Sequence, residues 1–222
     1  MTNNTKTEAN LANQIVHIGL EFPDNIPDIV IDKVTEDLKT SGLLLKVRKN
    51  ESVRMYAALE WVIPTMFGAY ILKPYFESFL QEAGKDHYKV LKEWLKKFTD
   101  SGRATKVHHI TASQSTKKNI GKDNQSKSVS LLLQTKNGKF IKLLFDNDLA
   151  KEDWDNAIDQ LLNFAIENYE KYPNDKLTSE IQLFDNDSNH RIYAIIERKS
   201  KKIIFYSEKD LFHLQNKLNE EC

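Results

Sequence analysis

The stretch SVSLLLQTKNGKFIKLLF, residues 128–145, decides the fold class of this chain. Two apolar runs, residues 128–135 and 140–145, stand on either side of Asn137-Gly138. Asn-Gly between two such runs is the strongest short-range signal for a tight turn that joins two strands. The stretch therefore predicts a β-hairpin.

A helix is predicted directly after this hairpin, over residues 149–172. Apolar residues recur there every three or four positions, as expected for a helix that buries one face. The residues predicted to form that face are Trp154, Ile158, Leu161, Leu162, Ala165 and Tyr169. Strands are predicted beyond it near residues 177–184, 191–198 and 202–206, and a last helix over residues 208–219.

The pentapeptide LFDND occurs twice, at residues 144–148 and 183–187. If each copy ends an apolar strand, the C-terminal half contains a βββα pseudo-repeat. The alternative is coincidence, because Asp and Asn are common where strands end and turns begin.

The N-terminal half begins with a predicted strand over residues 15–22. Pro27 is tolerated in the first turn of a helix, and Gly42 suits the position after its last residue, so a helix is expected between them. Residues 43–47 are a second predicted strand. These elements indicate a β-α-β unit or a small α+β layer.

Residues 52–82 are long, apolar and aromatic, and we predict a helix there with interruptions at Pro64 and Pro74. The twelve residues 61–72 carry no charge, which is short for a membrane span. Burial in the core, a protein interface and a membrane contact are all open for this helix. The candidate interface residues are Trp61, Phe67, Tyr70, Tyr75 and Phe76.

The fold class predicted from these elements is α+β, with packed helices on a mixed or mainly antiparallel sheet. The expected organisation is a flexible tail over residues 1–13, an N-terminal sub-domain over 14–102 and a C-terminal sub-domain over 103–222. A further helix is expected from Gly84 to Gly102, followed by a strand over 103–111. Residues 113–127 are polar and are expected to form a long mobile loop.

The composition excludes some classes of function. Lys plus Arg and Asp plus Glu both total 32, so the chain lacks the basic excess that is typical of a nucleic-acid binder. The one cysteine, Cys222, cannot form an internal disulfide, and a cytoplasmic location is therefore expected. Frequent Asn and Lys with only 7 glycines favour a bacterial source.

One weak catalytic pattern lies in the predicted C-terminal strands. Asp185 ends one of them, and Glu197-Arg198-Lys199 lies in the next. This arrangement resembles the active-site core of the PD-(D/E)xK nuclease superfamily. The resemblance covers about fifteen residues and implies that Asp185 and Glu197 bind a divalent metal while Lys199 supports the developing charge. The alternative is that Glu197 and Lys199 pair across the sheet.

Other chemical signals are weak. His108 and His109 point to opposite faces of a predicted strand, so they do not suit a shared metal. The chain has no Walker loop, no G-x-S-x-G and no G-x-G-x-x-G, and no resident cofactor or metal is expected. The favoured function is a non-catalytic interaction or regulatory module that acts through a protein partner or self-association. A metal-dependent nuclease and a membrane-active effector are the two alternatives.

Overall fold

A computed structural model of the chain describes residues 15–50, 65–82, 84–104, 125–184, 191–211 and 213. Its strands are β1 (Ile18–Pro23), β2 (Leu45–Asn50), β3 (Phe67–Ile71), β4 (Gln125–Gln134), β5 (Phe140–Asp146), β6 (Arg191–Ile196) and β7 (Ile203–Tyr206). Its α-helices are α1 (Asp28–Thr40), α2 (Lys73–Glu82), α3 (Gly84–Ala104), α4 (Lys151–Lys171) and α5 (Lys176–Ile181). A 3-10 helix over Gln182–Phe184 follows α5, and residues 208–211 are also helical.

These strands form one mixed sheet in the order β2-β1-β3-β4-β5-β6-β7. Three neighbouring pairs are parallel: β1 with β2, β3 with β4, and β5 with β6. The other three pairs are antiparallel. The predicted α+β class with a mixed sheet is confirmed.

The hairpin that decided the class is present as β4 and β5. Thr135 N donates to Lys139 O at 2.9 Å, and Gly138 N donates to Thr135 O at 3.0 Å. Gly138 has φ of +87°, a backbone conformation that glycine adopts without steric cost. The turn predicted from Asn137-Gly138 is confirmed.

The main core lies on one face of the sheet, beneath the helices, and a smaller cluster of Leu144, Tyr193 and Leu211 lies on the other face. Alternate residues of β1, β3, β4, β5 and β6 share the helix-covered face with the buried sides of the helices in a single cluster. In α4 every residue predicted for the buried face is buried, because the apolar positions fall on one side of a helical period. The predicted α4 face is therefore confirmed.

The β-α-β unit predicted for the N-terminal half is also present. It consists of β1, α1 and β2, with the two strands parallel as such a crossover requires. Ser41 caps α1, and Gly42 after it has φ of +78°. Gly42 thus occupies the left-handed position that was predicted for it.

The long helix predicted over residues 52–82 is wrong at residues 67–71 and confirmed over residues 73–82, which form α2. Residues 51–64 lie outside the described residues, and Phe67–Ile71 is strand β3, which pairs on one side with β1 and on the other with β4. An apolar run of this length fits a buried strand as well as a helix, and periodicity alone does not separate the two. Pro74 does not kink a helix interior, because it is the second residue of α2.

The helix predicted to end at Gly102 continues to Ala104, so the strand predicted from Arg103 is wrong at its first two residues. The rest of that strand, and residues 113–124 of the predicted loop, lie outside the described residues, whereas residues 125–127 belong to β4 and not to a loop. Gly102 lies within α3, where a glycine is needed because the helix approaches β4 closely. A Cβ on Gly102 would lie 2.5 Å from Val129 Cβ. Here glycine marks a close approach and not a helix end.

The strand predicted over residues 177–184 is a helix and a 3-10 turn. Asp175 caps α5 by accepting a hydrogen bond from Thr178 N at 2.8 Å, which satisfies a backbone donor that the helix leaves open. Leu177 and Ile181, four residues apart, are both buried. The second LFDND copy therefore begins in a 3-10 helix, whereas the first ends strand β5.

Residue 102, where two sub-domains were expected to meet, lies inside α3. The sheet runs across this point in the chain, because β3 pairs with β4 over Phe67–Ile71 and Val129–Leu133. Residues 1–13, the expected tail, lie outside the described residues.

Candidate interaction edge

Strand β2 is one outer edge of the sheet. Among the described strands only β1 pairs with it. Leu44 O accepts hydrogen bonds from His17 N at 2.9 Å and from Ile18 N at 3.2 Å, so the backbone of Leu44 faces β1. Backbone direction alternates along a strand, so the N–H and C=O groups of Leu45, Val47 and Lys49 face outward, away from the sheet.

The side chains of β2 alternate between apolar and basic. Leu45 and Val47 stand on the helix-covered face of the sheet, opposite the core residues Ile18 and Leu20 of β1. Leu45 packs partly against the core, whereas Val47 is 41% exposed. The edge thus offers an apolar contact on this face.

Two cations occupy the other face of β2. Lys46 and Arg48 are exposed there, and neither forms an ion pair with a residue that the structure describes. Glu21 stands beside Arg48 across the β1–β2 pair, but its carboxylate accepts a hydrogen bond from the Tyr70 hydroxyl at 2.5 Å. Glu21 therefore offsets part of the positive charge, and the two cations leave this face of β2 with a net positive charge toward an incoming anion.

The opposite edge, β7, is partly shielded by one side chain. Gln160 of α4 accepts a hydrogen bond from Ile203 N at 3.1 Å and donates one to Lys201 O at 2.9 Å. Side chains that satisfy an edge strand, and short edge strands, are two ways in which proteins prevent unwanted strand pairing. β7 has both, whereas β2 has no comparable side-chain bond among the described contacts.

His17 holds the beginning of β2 in place. Its Nδ1 accepts a hydrogen bond from Leu44 N at 3.1 Å, so in the neutral ring the proton is on Nε2. Nε2 lies 3.5 Å from Ser78 Oγ. Because Nε2 is the donor, His17 is not arranged as a base for Ser78, and this pair does not form a hydrolytic dyad.

The pKa of His17 lies below its ordinary value. Partial burial is the main cause, since it disfavours the charged imidazolium, and the nearby His87 lowers the pKa further. His17 therefore keeps its neutral, hydrogen-bond-accepting form over a wider pH range than a free histidine.

The residues of the nuclease pattern do not share a strand face. Glu197 and Lys199 are exposed residues at the turn between β6 and β7, where Glu197 N donates to Lys202 O at 2.9 Å. The Glu197 carboxylate accepts a hydrogen bond from the Ser200 hydroxyl. The alternation that was expected to align Glu197 with Lys199 does not apply in a turn. Asp185 lies outside the described residues.

The residue between them, Arg198, forms the main ion pairs of this region. Its Nε donates to the buried Asp146 carboxylate at 2.8 Å, and its Nη2 to Asp148 at 3.0 Å. These bonds join the β6–β7 turn to the end of β5, and they raise the pKa of Arg198. Asp148 does not cap α4, because the cap residue of that helix is Ala150.

The candidate interface residues of the apolar segment are mostly in the interior. Tyr75 and Phe76 of α2 are 2% and 1% exposed, and Phe76 stacks on Tyr169 with ring centroids 4.7 Å apart. Phe67 packs edge-on against Phe22, and Tyr70 bonds Glu21 on the other face of the sheet. Trp61 lies outside the described residues. The described members of this set thus serve the core and the sheet.

β2 was not predicted as a site from the sequence. The signal was present in the alternation of apolar and basic residues in LKVRKN, residues 45–50, but alternation does not reveal which strand lies at an edge. That information depends on the order of strands in the sheet.

In the part of the chain that the structure describes, no group of three or more His, Cys, Asp or Glu side chains is placed to hold a metal ion. Among these same residues no helix is both long and apolar enough to cross a membrane. Comparison with protein-family models, with curated proteins and with solved structures found no match to this chain.

Proposed function

We propose that this protein is a non-catalytic interaction module that binds an extended segment of a protein partner along β2. The observation that carries the proposal is the outward row of backbone N–H and C=O groups at Leu45, Val47 and Lys49. An extended segment that adds to such an edge gains main-chain hydrogen bonds, while its alternate side chains contact both faces of the strand.

The contrast between the two edges supports this function. β7 is four residues long and is bonded by Gln160, so an added strand would first have to displace that side chain. β2 is six residues long, and none of the described side chains would have to be displaced from its outer side. Val47 within β2 supplies exposed apolar area that a bound segment would cover.

The same proposal places the module in a bacterial cytoplasm. The single cysteine and the Asn- and Lys-rich composition favour that setting. The favoured role there is regulatory or adaptor-like and involves no chemical step.

Selection from a displayed library of random linear peptides tests this function. The bait is the folded full-length chain, and the comparison variant is Val47→Pro. Proline at position 47 removes an outward N–H but no bond to β1, and edge strands tolerate proline at such positions. Val47→Thr is the matched control, because it keeps the N–H and a β-branched side chain.

We expect selected peptides to bind the wild-type chain and Val47→Thr, and to lose at least tenfold in affinity on Val47→Pro. Circular dichroism of Val47→Pro should match the wild-type spectrum. Peptides that bind Val47→Pro as tightly as wild type would show that the binding surface lies elsewhere, and the function proposed for β2 would then be wrong.

A further inference from the structure

We infer that the segment bound by β2 carries acidic side chains at alternate positions, with apolar side chains between them. This inference rests on the function proposed above and specifies the chemistry of the partner. It follows from the two faces of β2, which differ in charge and in apolar area.

Side chains of paired strands share a face when they stand opposite each other. In a strand added to β2, the residues opposite Lys46 and Arg48 project from the same face of the sheet as these cations. Their Cβ atoms lie about 5 Å away, within reach of a carboxylate for the ammonium and guanidinium groups. Glutamate or aspartate at both positions would therefore be paired, and lysine or arginine would be repelled.

The intervening residues of the added strand project from the opposite face. There they stand beside Leu45 and Val47, and a β-branched or aromatic side chain covers the exposed part of Val47. Lys49 also projects from this face, but its Nζ pairs with Asp28 at 2.6 Å, so it adds no free cation there. The two faces together specify acidic and apolar residues in alternation.

The same charges argue against a second copy of this chain as the occupant. If two β2 strands paired antiparallel about Val47, Lys46 of each would stand opposite Arg48 of the other. Like charges placed directly opposite each other destabilise a pair of strands. The charged residues of β2 thus oppose self-pairing and favour an acidic partner.

Fluorescence anisotropy with three labelled octapeptides tests the inference. The probes are a Glu-Val alternating peptide, a Thr-Val peptide and a Lys-Val peptide, each with acetylated and amidated ends. In 50 mM salt we expect the Glu-Val peptide to bind about tenfold more tightly than the Thr-Val peptide, from two exposed ion pairs. The Lys-Val peptide should bind more weakly than either. This preference should diminish at 500 mM salt, where exposed charges are screened.

A charge-reversed protein is the matched comparison. The double variant Lys46→Glu/Arg48→Glu should prefer the Lys-Val peptide over the Glu-Val peptide, with the neutral peptide changed by less than about threefold. A Glu-Val peptide N-methylated at its valines, whose backbone faces β2 when the glutamates stand opposite Lys46 and Arg48, should not bind the wild-type protein. That last result separates strand addition from non-specific ionic attraction.

Each alternative outcome has a distinct meaning. If the Thr-Val peptide binds wild type as tightly as the Glu-Val peptide, the acidic partner is wrong although docking on β2 stands. If a single-stranded oligonucleotide binds and its affinity survives Val47→Pro, the cations serve a nucleic acid and the inference is overturned. If no alternating peptide binds while the displayed peptides still lose affinity on Val47→Pro, the inference about acidic side chains is wrong although the function proposed for β2 stands.

Discussion

At the scale of single residues, Asn168 joins three parts of the fold. Its carboxamide oxygen accepts a hydrogen bond from Lys136 N of the β4–β5 turn at 2.9 Å. Its nitrogen contacts the Asp175 carboxylate at 3.1 and 3.2 Å and the Thr178 hydroxyl at 3.1 Å. Burying a polar group lowers stability unless the group is hydrogen-bonded. In this network the buried polar groups of Asn168 and Asp175 are both hydrogen-bonded. One side chain thus fixes the hairpin turn against α4 and α5.

His17 makes the stability of the fold depend on pH. Its folded-state pKa is lowered, so between that value and the unfolded value of about 6.5 the unfolded chain binds more protons. The free energy of unfolding therefore falls as the pH decreases below about 6.5. Urea unfolding at pH 7.5 and pH 5.5 measures this loss. We expect it to be smaller in His17→Asn, whose carboxamide oxygen keeps an acceptor for Leu44 N without titrating.

His87→Gln is the control for this prediction. It removes a neighbour that lowers the pKa of His17 but leaves the His17–Leu44 bond in place. A pH dependence in His17→Asn equal to that of the wild type would assign the effect to other groups.

At the scale of elements, the contact between α3 and β4 decides how closely the helical layer lies on the sheet. Gly102 faces Val129, and a Cβ at position 102 would lie 2.5 Å from Val129 Cβ and 2.9 Å from its Cγ1. Real Cβ atoms do not approach this closely, so an added methyl group must displace the helix or the strand. The absence of a side chain at one helical position thus sets the spacing of two elements.

We predict that Gly102→Ala destabilises the protein by about 1–3 kcal/mol, the usual range for overpacking a core. In an exposed helix interior the same change would stabilise by up to about 1 kcal/mol, so the sign of the effect is informative. Chemical denaturation of both proteins measures it.

A double-mutant cycle with Val129→Gly separates the steric cause from others. In the Val129→Gly background the obstructing side chain is gone, so Gly102→Ala should cost much less or become favourable. Additive effects of the two substitutions would show that the close contact is not the cause.

At the scale of the whole molecule, elements from both halves of the chain share one sheet and one core cluster. Trp94 Nε1 of α3 donates a hydrogen bond to Val34 O at 2.6 Å, and Trp154 Nε1 of α4 donates one to Asp146 O at 2.9 Å. The fluorescence of each tryptophan therefore reports on a different half of the chain. We predict that both report one cooperative transition. In each single-tryptophan variant, with the other tryptophans changed to Phe, urea unfolding followed by tryptophan fluorescence and by far-UV circular dichroism should give the same midpoint and slope. Separated midpoints for the two signals within one variant would instead indicate two independently folding sub-domains.

The parts of this fold that the sequence predicts are those specified locally. The Asn137-Gly138 turn, the buried face of α4 and the position of Gly42 depend on neighbouring residues, and all three are confirmed. Residues 67–71 and 177–184 were assigned to the wrong elements. The first is a short apolar run that fits a helix or a strand, and the second depends on a cap from Asp175 that the apolar pattern does not reveal.

The candidate site belongs to the part that local patterns do not specify. Lys46, Val47 and Arg48 are readable as alternating residues of a strand. Their importance arises because β2 is the outermost of the seven described strands, and strand order is set by pairings between distant segments, such as β3 with β4. The Glu197 and Lys199 pattern shows the converse, because the spacing is present in the sequence but the structure places both residues at a turn.

The Gln160 side chain on β7 has a consequence for stoichiometry. If both edge strands of a sheet can pair with another strand, each edge can pair with the opposite edge of a neighbouring molecule. Repeated head-to-tail contacts of that kind form filaments. Gln160 occupies the outward N–H of Ile203 on β7 and so hinders such a contact at that edge. Complexes of this protein formed through β2 are therefore expected to stop at one ligand per protomer, and losing Gln160 would open a route to fibrous aggregation.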